Sequence, residues 1–459
     1  MEFLIKHPTI VNADKTFKND ILIIDNKIDA VKRIIEPPNN NCKIINANGL
    51  YAIPGAIDPH VHMELPTPAG NSSDDFYTGS IAAIYGGTTS IIDFVTPRRG
   101  ENFIAATQDR KKCASKSLID YGLHFGVTWW DENSAQQLEY LKKSEGINSF
   151  KAYLAYKNSI GIDDSALIKL MKQVSKQNGM LAVHCENGDL IETLQNEMMA
   201  DNHFQPAYHY YSRPAEAEAE AISRVIWLSK FYNCPVYIVH VSTKEGVELI
   251  KQAQDKCLPV FAETCPHYLL LDHSVYNSLD NFDTAKYVIS PPLRGKKDNE
   301  ALWNAIGNGV VQTVATDHCP FNLHGQKDLG LTDFRKIPNG AGSIEHRLSL
   351  LFTFGVLQKR ISFNQMVDLI SHQPAKIFGL DNRKGDIRAG LDADIVLWDA
   401  QKETTVSAQT HKMRCDTNIY EGFKLKGAAQ YVFVGGKLVL ENENLNTSGL
   451  SGQFMPCNI

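Results

Sequence analysis

Six side chains able to hold a metal stand out in this sequence, and each sits in or closes a short apolar run. His60 and His62 form the H-x-H of "IDPHVH", and Lys151 lies in "NSFKAYL". His184 ends "MLAVH", His240 ends "VYIVH" and Asp317 ends "TVATD". Side chains of an extended backbone repeat every two residues, so the two rings of an H-x-H point the same way. The chain has 15 histidines, so any single one is weak evidence and is better read as a hydrogen-bonded strand-end residue. Four histidines and an aspartate at the ends of four separate predicted strands are hard to assign to chance. Imidazole and carboxylate suit zinc, with manganese, iron or cobalt as alternatives. The absence of thiolates fits a catalytic rather than a structural site.

Lys151 is the odd member. In a strand, Phe150, Ala152 and Leu154 share one face, and Lys151, Tyr153 and Ala155 share the other. Burial of both faces leaves an ammonium nowhere to keep its charge. Two divalent ions, Asp317 and a bridging hydroxide would still carry a double positive charge in a mostly dry site, which is costly. An ammonium there adds to it and offers no lone pair. Burial and nearby cations favour the neutral amine, which can add carbon dioxide to give a carbamate with two bridging oxygens. A snorkelling or salt-bridged lysine is the competing reading, and spacing alone leaves both open.

The elements that must position these groups follow a slow rhythm from about residue 50 to 375. "YAIPGAID", "TSIIDFV", "DYGLHFGVT", "NSFKAYL", "MLAVHC", "PVYIVHVS", "LPVFAETC" and "QTVATD" read as strands, with helical spacing between them in "ALIKLMKQVSKQ" and "KEGVELIKQAQ". Such alternation predicts parallel βα units, and eight strands are the count that closes a TIM-type (β/α)8 barrel. An open doubly wound sheet is the rival architecture. The ends differ: residues 1–50 and 385–459 read as β hairpins and meanders that pair into one small β-sandwich domain around a barrel domain of 51–384. The tail "NTSGLSGQFMPCNI" reads as polar and irregular.

Composition narrows the partners. The chain has 459 residues, 43% hydrophobic and 21% charged, with a net charge of −6, so neither nucleic acid nor an anionic membrane is expected. No apolar run reaches the roughly 20 residues that span a bilayer. The start lacks the charged-then-apolar pattern of a signal peptide, and the nine cysteines include no C-x-x-C pair, so a cytoplasmic protein with reduced thiols is expected.

"GAIDPHVH", "DDFYTGSIAAIYGGTTSIIDF", "SFKAYLAYKN", "VHCENGD", "VHVSTKEG", "ETCPHYL", "SPPLR", "VATDHCPF" and "IPNGAGSIEHRL" together resemble the dihydropyrimidinase/hydantoinase family, cyclic amidases of the amidohydrolase superfamily. The resemblance runs to about residue 440. It implies ring opening of dihydropyrimidines or hydantoins to N-carbamoyl amino acids. It also implies two Zn2+ per subunit bridged by an N6-carboxylated Lys151. His60, His62 and Asp317 would hold the more buried ion, and His184 and His240 the more exposed one. Asp317 would act as general base and then acid, and Tyr156 would hydrogen-bond the developing oxyanion. Ser290 and Asn339 would bind the amide groups of a cyclic ureide or imide, largely through backbone. A homotetramer, or a homodimer, is implied as well.

Two enzymatic rivals and one non-enzymatic rival follow from the same likeness. Dihydroorotases typically carry an arginine two residues after the H-x-H, where this chain has Glu64. Allantoinase is the alternative activity, and "AYKN" and "IPNG" favour the hydantoinase side. Collapsin-response-mediator-like scaffolds have lost metal ligands that are all present here. The loops 63–75 and 158–164 are expected over the barrel mouth, with Leu65 and Ile160 lining the pocket for the ring substituent and Gly161 leaving space beside them. Asp74, Asp75, Asp93 and His267 receive no catalytic role, and the thiols of Cys185, Cys265 and Cys319 are not expected to act as nucleophiles. "GGTT" at 86–89 reads as a helix-to-strand turn.

Overall fold

The computed structural model describes residues 2–278 and 281–457. Eight strands form one parallel sheet in chain order: β1 (Ala56–Val61), β2 (Thr88–Val95), β3 (Asp120–Gly126), β4 (Ser149–Tyr153), β5 (Met180–His184), β6 (Val236–Ile238), β7 (Val260–Thr264) and β8 (Thr313–Val314). Nearly every residue in them is buried, because helices cover one face and the packed interior fills the other. The sheet closes on itself. Val61, at the end of β1, bridges His318 in parallel, and the His62 N–H donates to the His318 carbonyl at 2.8 Å. The closed barrel expected from eight apolar runs is therefore present, and the open sheet is not.

The two segments with helical spacing fold as Asp164–Lys176 and Lys244–Gln254. Both start at a side-chain cap, where Asp163 accepts from the Ala166 N–H and Thr243 from the Gly246 N–H. In the first, Leu167, Leu170, Met171 and Val174 recur at the spacing of one helical face and are buried. "GGTT" is the turn between the helix Phe76–Tyr85 and β2.

The flank is built from both ends of the chain. One sheet orders Lys27–Lys32, Asp20–Ile24, Glu2–Lys6 and Lys43–Asn46; the other includes Lys424–Val434, Ile395–Thr405, Tyr51–Pro54 and Thr9–Val11. Phe3, Ile5, Ile23, Ile395, Leu397 and Phe433 share a core there. The flank runs straight into the barrel, since Tyr51–Pro54 is followed by Gly55 and then β1. A Cβ on Gly55 would lie 2.1 Å from Thr89 Oγ1, so only glycine lets the two strands approach.

The C-terminal tail is irregular but docked. Gly452, Met455 and Cys457 donate backbone N–H groups to Ser117, Tyr121 and Gly146, and Met455 and Cys457 join a buried cluster with Ile57, Ile92, Met180 and Tyr237. Beside it, the ammonium of Lys384 is buried among Asp394, Asp120 (Oδ2 at 2.8 Å) and Asp392 (Oδ2 at 3.7 Å). That cation ties the start of β3 to the C-terminal part of the flank.

Candidate metal centre

All six metal-capable residues come to the C-terminal mouth of the barrel. Lys151 is 1% exposed, with its Nζ 5.3 Å from the Phe94 ring centroid and 5.4 Å from that of Tyr153. Burial pushes its amine down to about 8, against the pull of Glu263 and Asp317. His60 Nε2 and His62 Nε2 lie 3.2 and 3.1 Å from the same atom, Asp317 Oδ1. His184 Nδ1 lies 2.9 Å from His240 Nε2. The His60 and His240 rings, 5.5 Å apart, join the two pairs into one cluster.

His240 and Asp317 do not close strands as expected but sit in the turns just beyond β6 and β8. Their φ angles are +39° and +49°, and a left-handed residue ends the ladder of a strand. Tyr156, after β4, is also left-handed at +61°. Each such backbone costs about 1–3 kcal/mol and persists only where its surroundings enforce it. For Tyr156 the enforcing turn is visible, because its carbonyl accepts from both Ser159 and Gly161. Gly161 is needed for this packing, since a Cβ there would meet the Ala155 carbonyl oxygen at 2.2 Å. Backbone approach, rather than room for a ring substituent, explains that glycine.

The orientation of the rings tests whether cations fit. His60 Nδ1 is 2.7 Å from Glu263 Oε1, and His184 Nε2 is 2.8 Å from Glu186 Oε2. Assigning the ring protons to these carboxylates leaves lone pairs on His60 Nε2 and His184 Nδ1. The first then faces an oxygen of Asp317, and the second faces another imidazole nitrogen. The facing acceptors of His60 and Asp317 fit a positive ion held beside them, and the His184–His240 contact fits one where His240 Nε2 carries its lone pair. Burial holds His60, His184 and His240 below the usual imidazole range, so each is in its neutral, ligating form. Burial pushes Asp317 up, but His60, His62 and His240 outweigh it and keep the carboxylate well below its ordinary range. The donor set fits two divalent cations.

The two carboxylates that orient these histidines were missed from sequence. Glu263 lies within β7, receives the Tyr237 hydroxyl at 2.8 Å and the His240 N–H at 3.1 Å, and is pushed up to about 8 by burial. Glu186 is paired with Arg213, which with His184 overcomes burial and holds its carboxyl well below the usual range. The signal was available, because a glutamate inside the apolar run "VFAET" is as misplaced as Lys151, and "HCE" sets Glu186 two residues after a ligand.

Tyr156 borders the cluster, its ring 5.2 Å from that of His184 and 5.5 Å from the Arg213 guanidinium. The side chains of Ser290 and Asn339 lie close enough to its hydroxyl to pull the phenol pKa down against burial. Burial raises the phenol pKa, so the hydroxyl remains a donor. Among the described residues, the Ser290 carbonyl and the Asn339 N–H have no hydrogen-bond partner.

Most of the remaining motif residues have structural contacts, whereas neither ring nitrogen of buried His267 has a hydrogen-bond partner among the described residues. Asp93 accepts from the Met63 N–H at 2.7 Å and pairs with Arg110; Asp74 meets His318 Nε2 at 3.1 Å; Asp75 caps the helix Phe76–Tyr85. Glu64 pairs with Lys116 at 3.4 Å. Leu65 and Ile160 are half-buried. All nine cysteines are free, and burial pushes the thiols of Cys185, Cys265 and Cys319 up, away from thiolate.

Comparison with known proteins gives this geometry a family. The amidohydrolase family pattern matches residues 51–439. The D-hydantoinase of Geobacillus stearothermophilus is 42% identical over 456 residues, 99% of this chain and 96% of that protein. The dihydropyrimidinase of Arabidopsis thaliana is 38% identical over 98% of this chain and 85% of its own length. The crystal structure of dihydropyrimidinase from Brevibacillus agri NCHU1002 matches with a TM-score of 0.97 at 41% identity, covering 100% of this chain and 99% of that one. The chain belongs to the amidohydrolase family. Within it, relatives similar over nearly their whole length are D-hydantoinases and dihydropyrimidinases.

Proposed function

We propose that this chain is a cyclic amidohydrolase that opens dihydropyrimidines and hydantoins at a ring amide bond to give N-carbamoyl amino acids. The observation that carries the reading is the gathering of His60, His62 and Asp317 within reach of one ion, with the His184–His240 pair beside them, at the mouth of the barrel. His60, His62 and Asp317 would hold one ion, and His184 and His240 the other. Two zinc ions, bridged by an N6-carboxylated Lys151, would supply hydroxide near neutral pH and polarise the scissile carbonyl. Asp317 takes the proton of the attacking water and returns it to the ring nitrogen as the C–N bond breaks. The Tyr156 hydroxyl donates to the oxygen on which charge develops. The Ser290 carbonyl and the Asn339 N–H, both without partners, match the N–H and C=O that an adjacent cyclic amide presents.

Residues 1–50 with 385–459 form the flank, together with the strand Tyr51–Pro54 that joins their sheet, and the catalytic barrel runs from Ala56 to about 384. The enzyme works as a homotetramer or homodimer in the cytoplasm on a small cyclic ureide or imide, with no nucleic acid or membrane partner. Among the described residues no helix is long and apolar enough to cross a bilayer. Metal analysis of purified protein, with kcat/KM for dihydrouracil, dihydrothymine, a hydantoin series and allantoin, tests it. Two metal ions per chain and turnover of the first three classes are expected. A preference for allantoin moves the substrate assignment, and a metal-free, inactive protein supports the scaffold reading.

A further inference from the structure

One buried lysine lies outside this chemistry and beside the groups that would bind substrate. Lys327, in "GQKDLG", is 1% exposed, and among the described residues no carboxylate pairs with it. Its ammonium donates to two backbone carbonyls instead, Val288 O at 3.1 Å and Pro338 O at 3.0 Å. The Gly340 N–H also donates to Val288 O, at 3.0 Å, so the two segments meet at one oxygen. Val288, Leu323, Phe334 and Ile337 pack into one apolar cluster at this place. Burial pushes the Lys327 amine down to about 7, and a side chain without donors would fill the space more cheaply.

The position of the two carbonyls shows what the lysine does. Val288 stands two residues before Ser290, and Pro338 immediately precedes Asn339. The Pro338 carbonyl and the unpartnered Asn339 N–H belong to one peptide group. A hydrogen bond donated to that oxygen draws electron density toward it and makes the N–H a stronger donor, most of all while the lysine is charged. The side chains of Ser290 and Asn339 also both lie near the Tyr156 hydroxyl, so a shift of either segment would alter the tyrosine's surroundings as well.

We propose that Lys327 is a positioning residue of the substrate site. It clamps the Ser290 and Asn339 segments to each other and strengthens the Asn339 N–H for a ring carbonyl. The inference rests on the assignment of Ser290 and Asn339 as the ring-binding groups.

Two measurements on Lys327→Met, which keeps the volume and removes the donors, test it. Amide hydrogen exchange in the absence of substrate should quicken about tenfold or more across both 287–293 and 337–341. The KM for dihydrouracil should rise about tenfold while kcat falls less than about threefold. Lys327→Gln, with one donor group in place of the ammonium, should fall between wild type and Met, and it carries the test if the Met variant does not fold. Unchanged exchange in both segments, or a fall in kcat with KM unmoved, overturns the proposal. If the wild type opens no cyclic amide, the proposed reaction fails. Exchange then still decides the clamp: faster exchange in both segments supports it, and retained protection overturns it.

Discussion

Replacing Tyr156 by phenylalanine removes one hydroxyl and leaves the ring, its contact with His184 and the Arg213 stacking in place. Two effects then compete. In the free enzyme the side chains of Ser290 and Asn339 lose a neighbouring polar group. They are close to the open mouth, where water can replace it, so the cost is about 1 kcal/mol and KM should move less than about tenfold. In the transition state a preorganised donor to the developing negative oxygen is lost, which costs about 2.7–4 kcal/mol, or about 100- to 1000-fold in kcat. The second effect wins, and the loss should fall on kcat.

The pH dependence gives a second constraint on Tyr156. Burial raises the phenol above its ordinary value near 10, so the hydroxyl is protonated throughout the working range and contributes no alkaline limb below that value. The Tyr156→Phe profile should therefore be lowered uniformly with its limbs unmoved. Steady-state rates on dihydrouracil and a 5-substituted hydantoin from pH 6 to 9.5 read both quantities. A kcat within about fivefold of wild type, or a KM that rises more than kcat falls, refutes the assignment of Tyr156 to the oxyanion.

Lys151→Ala should lose binuclear metal binding and activity together, with partial rescue by short carboxylic acids; Lys151→Arg should not restore turnover, and intact mass of the wild type should show one added carbon dioxide. Lys384→Met strips the cation from three buried carboxylates, at about 3–5 kcal/mol. For 459 residues the unfolding entropy is about 1 kcal/mol/K, so Tm should fall by about 3–5 °C at pH 7.5. The Lys384 pKa is raised above the usual lysine range, so its stabilising contribution is complete below about pH 10 and adds no slope there. Asp394 is already raised by burial, and without Lys384 the cluster binds protons more tightly, so the Tm deficit should shrink as pH falls toward 5; a deficit independent of pH refutes this. Leu65→Phe or Ile160→Phe should change the order of preference among 5-substituted hydantoins, and an unchanged profile rules these loops out as gates.

The ligands were legible because parallel strands buried on both faces make any charged or polar residue conspicuous, and because a barrel of this kind gathers its strand ends at one mouth. His60, His62, Lys151, His184, His240 and Asp317 were picked out by that contrast, and the family resemblance, not spacing, assigned Lys151 its role. The same contrast marks Glu263, which was overlooked because glutamate needs no unusual chemistry to be imagined as a salt bridge. What no local pattern could reveal is which distant segments meet. Glu186 draws on Arg213 from 27 positions away, and Lys327 reaches Val288 and Pro338 across 39 and 11 positions. The left-handed backbones of Tyr156, His240 and Asp317 belong to the same class, since aspartate alone among the three is a residue that takes that conformation with ease. Their strain depends on the turns around them, such as the Gly161 contact with Ala155. Chemistry was thus readable wherever a residue conflicted with its own strand, and hidden wherever its meaning lay in a partner brought by the fold. Lys327 is the clearest case: in sequence it is one more lysine in a polar loop, and only burial against two carbonyls beside Ser290 and Asn339 turns it into part of the site.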